Sequence, residues 1–171
     1  MRRLSTKSML ARAVVLVTLV VVESLWLEDS ELARSMQEGA QLMIARSAGL
    51  VLSLAGFENT VDGIKIQLAN GAVSVTEECV GLDVSLFLAS AMFVQSAPLR
   101  RKLLGAVASL LAVTGLNWIR VITLSLLVQE NRTAFDVSHA YVWPAVIILA
   151  CVAILLLWMR APPGDAEANP A

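Results

Sequence analysis

Thr76-Glu77-Glu78-Cys79-Val80-Gly81-Leu82-Asp83 is the stretch where polar sequence with β-like alternation gives way to a long apolar run. A thiol stands on that boundary. An apolar helix starting just after Cys79 would set the thiol near a helix N-terminus, where the backbone dipole and any cationic neighbour favour the thiolate, the form that attacks. A lone cysteine is more often a small buried hydrophobe, so Cys79 needs supporting residues before it reads as a nucleophile.

The 171 residues around this boundary are 57% hydrophobic, gathered in long blocks. Such blocks predict an all-α integral membrane protein with about four transmembrane helices, an extracytoplasmic amphipathic helix and a small β-hairpin before the second span. The net charge of −1 conceals a segregation of sign. No basic stripe marks a nucleic-acid partner. Two cysteines cannot build a disulfide framework, and Cys151 falls roughly 18 Å along a helix from His139, so Cys79 is expected as a free thiol.

Upstream of Cys79, Ile64 to Leu68 and Val73 to Val75 alternate with period two around Asn70-Gly71. That pattern predicts a hairpin with a type I′ loop at Asn70-Gly71, pairing Leu68 with Val73 and Ile66 with Val75. Further back, Leu32, Met36, Met43, Leu50 and Leu54 recur at helical spacing between Ser30, a candidate cap, and Gly56, a candidate stop. The apolar face of this helix is expected against the membrane surface or the other helices. A first span over about Met9 to Leu27 carries Arg12 and Glu23 near its ends, where charged side chains can snorkel, and Trp26 as an interfacial anchor.

Downstream, spans are expected at Leu82 to Pro98, Leu103 to Val128 and Tyr141 to Met159. Arg100, Arg101 and Lys102 form a basic loop that should be cytoplasmic, whereas the acidic segment 28–78 and the loop 129–139 should lie outside. One membrane domain over 1–160 and a disordered cytoplasmic tail over 161–171 complete the plan. This arrangement carries Cys79, Arg120 and His139 to the extracytoplasmic face.

Arg120 interrupts the third span, where an unpaired cation costs at least about 2 kcal/mol, so it calls for a partner or a task. Asp83 and Glu78 are the available carboxylates for a purely structural pairing. Asn117 lies three residues earlier on the same helical face. His139 is the one histidine, and with no second ligand in a metal-binding spacing it does not predict a metal site. Together the three residues supply a nucleophile, an imidazole base and a cation for developing negative charge.

Cys79-Val80-Gly81, Asn117-Trp118-Ile119-Arg120 and His139, in that order, resemble the motifs of the exosortase/archaeosortase membrane transpeptidases. The likeness covers roughly residues 50 to 160, and the short chain is similar to exosortase H. Val80 and Asp83 stand where many bacterial members have Ser and Arg. The resemblance implies a membrane-embedded cysteine protease or transpeptidase acting on exported proteins with a C-terminal sorting signal: a short motif, a transmembrane helix and a basic end. It further implies that Cys79 forms a thioester, that His139 transfers protons, that Arg120 stabilises the oxyanion or orients the substrate, and that no cofactor is needed. Transfer to an amine acceptor gives transpeptidation, and transfer to water gives proteolysis; the acceptor and the substrate motif stay open. The competing reading is a non-enzymatic membrane scaffold or assembly factor in which Cys79, Arg120 and His139 form an interhelical polar lock.

Overall fold

Lipid tails offer no hydrogen bonds, so apolar blocks of this length satisfy their backbone internally, as helices. The computed structural model describes residues 6–160; the tail expected over 161–171 lies outside the described residues. α1 (Thr6–Asp29) contains the expected first span. It stops at Ser30, whose side chain caps α2 (Glu31–Leu54) by accepting from the Ala33 amide.

The apolar stripe of α2 does not face the core. Leu32, Met36, Met43, Leu50 and Leu54 are all exposed, while Ala33, Ala45, Ala48, Gly49 and Leu52 are buried. Small residues win the inner face because they let other elements approach the helix backbone. At Gly49 a methyl group would collide with Val61. Among the described residues the stripe thus does not pack against the other helices. Gly56, at φ +88°, ends the helix region as expected.

Three strands follow where two were expected. β1 (Asn59–Asp62), β2 (Lys65–Leu68) and β3 (Gly71–Ser74) form an antiparallel sheet in that order. Gly63, with φ +59°, opens the β1–β2 loop, where two-residue hairpin turns call for glycine. The β2–β3 register differs from expectation: Ile66 pairs with Val73 and Leu68 with Gly71, so the loop is Ala69-Asn70. Neither Asn70 nor Gly71 adopts a positive φ, which rules out the type I′ turn. Tertiary docking accounts for the slip, because the Asn70 amide donates to the Gln129 carbonyl at 3.0 Å and a Cβ at Gly71 would lie 2.8 Å from Val128. A shift of two residues preserves the faces, and Ile66, Val73 and Val75 are all buried.

A 3₁₀ turn (Glu77–Cys79) leads to Gly81 and then α3 (Leu82–Val94). α3 has 13 residues, about 20 Å of helix against a hydrocarbon core of about 30 Å. It stands where the second span was expected; Gly81, at φ +69°, bounds it at the start, and Gln95, with an extended backbone at ψ 151°, at the end. α4 (Leu99–Glu130) is the longest helix, with 32 residues. The expected loop 129–139 shrinks to Asn131, which caps α5 (Arg132–Val137) through the Ala134 amide. A π-helical turn (Ser138–Val142) joins α5 to α6 (Trp143–Arg160). Three helical runs, Leu10–Asp29, Leu99–Glu130 and Arg132–Arg160, are therefore long and apolar enough to cross a membrane, rather than four.

Side-chain contacts orient the bundle. Arg12 donates to Ser96 at 2.7 Å and to Gln95 at 3.4 Å, and Ser90 donates to Glu23, so α1 runs antiparallel to α3. The two charges dismissed as snorkelling in the sequence are interhelical clamps. Trp158 near the end of α6 donates to the Arg101 carbonyl at 3.3 Å, and the Arg101 guanidinium lies 4.8 Å from its ring. One end of the bundle thus gathers Arg12, Arg100, Arg101, Lys102 and Arg160. The other holds α2, the sheet and the Cys79 turn.

Candidate active site

Cys79 ends the 3₁₀ turn, its backbone N–H donating to the Thr76 carbonyl at 2.9 Å. Its side chain is 3% exposed and shares a core cluster with Val75, Val80 and Val121. Both cysteines are free. The Cys79 Sγ hydrogen-bond partner is Thr76 Oγ1 at 3.6 Å, a contact that no sequence motif signals. Gly81 then turns the chain into α3 and presses it against α4: a Cβ there would lie 2.5 Å from Asn117 Nδ2 and 2.7 Å from Val113 Cγ1. The Cys79-Val80-Gly81 motif therefore needs glycine twice over, for the left-handed φ and for the close approach.

Arg120 lies one helical turn beyond Asn117 and is 5% exposed. Its partner is His139, not Asp83 or Glu78, with Nη2 3.5 Å from Nδ1. A guanidinium only donates, so Nδ1 is the acceptor in this contact. Arg120 Nε and Asn117 Oδ1 are buried without a hydrogen-bond partner among the described residues, while Asn117 Nδ2 donates to the Val113 carbonyl at 3.1 Å. One unmet donor and one unmet acceptor, a turn apart on one helix face, match the two hydrogen-bonding groups of a peptide bond.

His139 is exposed and sits inside the π-helical turn, its ring parallel to that of Phe135 at 5.8 Å. The Trp143 amide reaches back to Ser138, five residues away. Pro144 explains the wide turn, since it lacks the N–H that a regular helix aims at Ala140 and its ring crowds that carbonyl. Such π turns recur at functional sites, so Pro144 was the unread signal for how His139 is presented. The structure thus joins Arg120 to His139 directly and seats the Cys79 turn against the same helix through Gly81 and Asn117. Cys79 Sγ itself bonds to Thr76 rather than to His139. Among the described residues no three His, Cys, Asp or Glu side chains converge to hold a metal ion.

Long apolar helices around this polar cluster define a multi-pass membrane protein. The family model described as "Transmembrane exosortase (Exosortase_EpsH)" matches residues 4–159, nearly the whole chain. The protein belongs to the transmembrane exosortase family, which at family level comprises membrane transpeptidases and proteases. No curated protein and no solved structure matches the chain.

Proposed function

We propose that this protein is a membrane-embedded cysteine transpeptidase or protease that cleaves C-terminal sorting signals of exported proteins, with Cys79, Arg120 and His139 as its catalytic residues. The observation that carries the reading is the Arg120–His139 contact on the α4 face against which the Cys79 turn packs. In the resting state Arg120 occupies the lone pair of Nδ1. As substrate enters, the guanidinium turns to the scissile carbonyl oxygen, and Nδ1, so released, takes the proton of Sγ. Sγ attacks the carbonyl carbon, the imidazolium returns its proton to the departing amine, and a thioester remains on Cys79. An amine acceptor or water resolves it.

The separation of charge along the bundle supports an inner-membrane setting with the site on the extracytoplasmic face. A substrate tail with its own transmembrane helix reaches the site by packing within the bilayer.

The test is co-expression with an exported protein ending in a short motif, an apolar helix and a basic cluster. Processing on an immunoblot, with a hydroxylamine-sensitive adduct on Cys79, is the expected result. Cys79→Ser should abolish both while the protein still accumulates in the membrane. If Cys79→Ser processes normally, the three residues are a polar lock and the protein is a scaffold.

A further inference from the structure

The turn that carries Cys79 also walls a separate cleft. Glu77 and Glu78, with Glu28 from the end of α1 and Asp83 from the first turn of α3, line a space of about 350 Å³ in which Arg34 is the one cation. None of the four carboxylates has an ion-pair partner among the described residues. Gln37, 9% exposed on the inner face of α2, lines the same cleft, and its amide has no hydrogen-bond partner among the described residues. Little of Gln37 is open other than to this cleft, so a ligand seated there is the partner its unpaired amide can take. Carboxylates that surround a volume, rather than converge as metal ligands do, suit an organic cation, whose N–H groups they and the Gln37 carbonyl oxygen accept.

We propose that this cleft binds the acceptor as a primary ammonium ion and delivers it to the Cys79 thioester, an assignment that rests on the transpeptidase reading above. The bound ammonium gives one proton to a carboxylate of Glu77 or Glu78, which frees the nitrogen lone pair. The nitrogen attacks the thioester carbonyl; the C–N bond forms, the C–S bond breaks, and a second N–H proton passes to the departing thiolate. An amide and the Cys79 thiol result, and the carboxylic acid later releases its proton to water.

Binding of dansylcadaverine to the full chain, purified in a neutral, amine-free detergent, tests the cleft without turnover when read by fluorescence in the Cys79→Ser background. Dansylcadaverine should bind more tightly than its N-acetylated counterpart, and its affinity should fall as salt rises. Glu77→Gln with Glu78→Gln should weaken binding roughly tenfold or more, the scale of a lost charge-assisted hydrogen bond. Arg34→Gln, which removes the cation on the wall, should tighten it, a gain that a misfolded protein cannot mimic. Equal binding of the acetylated probe, or affinity unchanged by both sets of substitutions, overturns the assignment. In nanodiscs, displacement of the probe by phosphatidylethanolamine but not phosphatidylcholine identifies a lipid headgroup as the ammonium, and absence of displacement identifies a soluble amine. Because these readings need no thioester, their failure removes the acceptor site alone, whereas a missing Cys79 adduct in the parent protein removes the enzyme reading alone.

Discussion

Arg120 separates a catalytic cluster from a structural lock, because the two make opposite demands on a buried cation. A buried charge costs more to desolvate than a well-packed apolar side chain of similar size, so replacing it with such a side chain, where no opposite charge is left behind, is often neutral or stabilising to the fold. Arg120→Met should therefore leave the melting temperature in detergent unchanged or raised, yet abolish processing of a tail-bearing substrate. A fall in melting temperature of the size expected for a broken buried pair, about 3 kcal/mol or more, would instead mark Arg120 as a lock. Arg120→Lys keeps the charge but loses the planar fork, and should lower turnover while sparing the fold. At Gly81 the expected effect is structural as well as catalytic. Gly81→Ala imposes roughly 1–2 kcal/mol of left-handed strain and drives a methyl group into Asn117. Both melting temperature and processing should fall, and adding Asn117→Ala should recover part of the stability. Recovery of none would show that Gly81 and Asn117 are not in contact.

Among the elements, the π-helical turn is the one whose geometry belongs to the site more than to the fold. Pro144→Ala restores the missing N–H and lets the turn relax towards regular α-helix, rotating His139 by up to about 100° relative to the rest of α6. Melting temperature should hold or rise while processing drops. Unchanged processing would mean that the wide turn does not position His139. The β2–β3 loop teaches the complementary lesson. Asn70-Gly71 has the residues of a type I′ turn, but docking of Asn70 on Gln129 and of Gly71 on Val128 moved the loop back by one residue. Local turn preference is worth little against a buried contact with a distant helix.

At the scale of the whole molecule, the clamps Arg12–Ser96 and Arg101–Trp158 fix which helix ends lie together, and the basic residues collect at one of them. Reporter fusions after residues 60 and 132 should read as outside and a fusion after residue 101 as inside. An inside reading at residue 60 would reverse the membrane face of Cys79 and remove exported substrates from its reach. The short α3 makes this measurement decisive, since its length alone does not carry the chain across a full hydrocarbon core.

The sequence alone determined the membrane-embedded helical class, the amphipathic α2 with its Ser30 cap and the free thiol on the strand-to-helix boundary, and it singled out Cys79, Arg120 and His139 as the candidate set. Each is written in periodicity, composition or motif spacing, which are local. Only the tertiary structure decided that α2 turns its apolar stripe outward, that a third strand joins the hairpin, that α3 is short, and that His139 rather than a carboxylate meets Arg120. These depend on which surfaces meet. A glycine admits a neighbour's backbone, a proline widens a turn, and a buried cation takes the partner that packing brings to it, none of which is visible until the chain has folded upon itself.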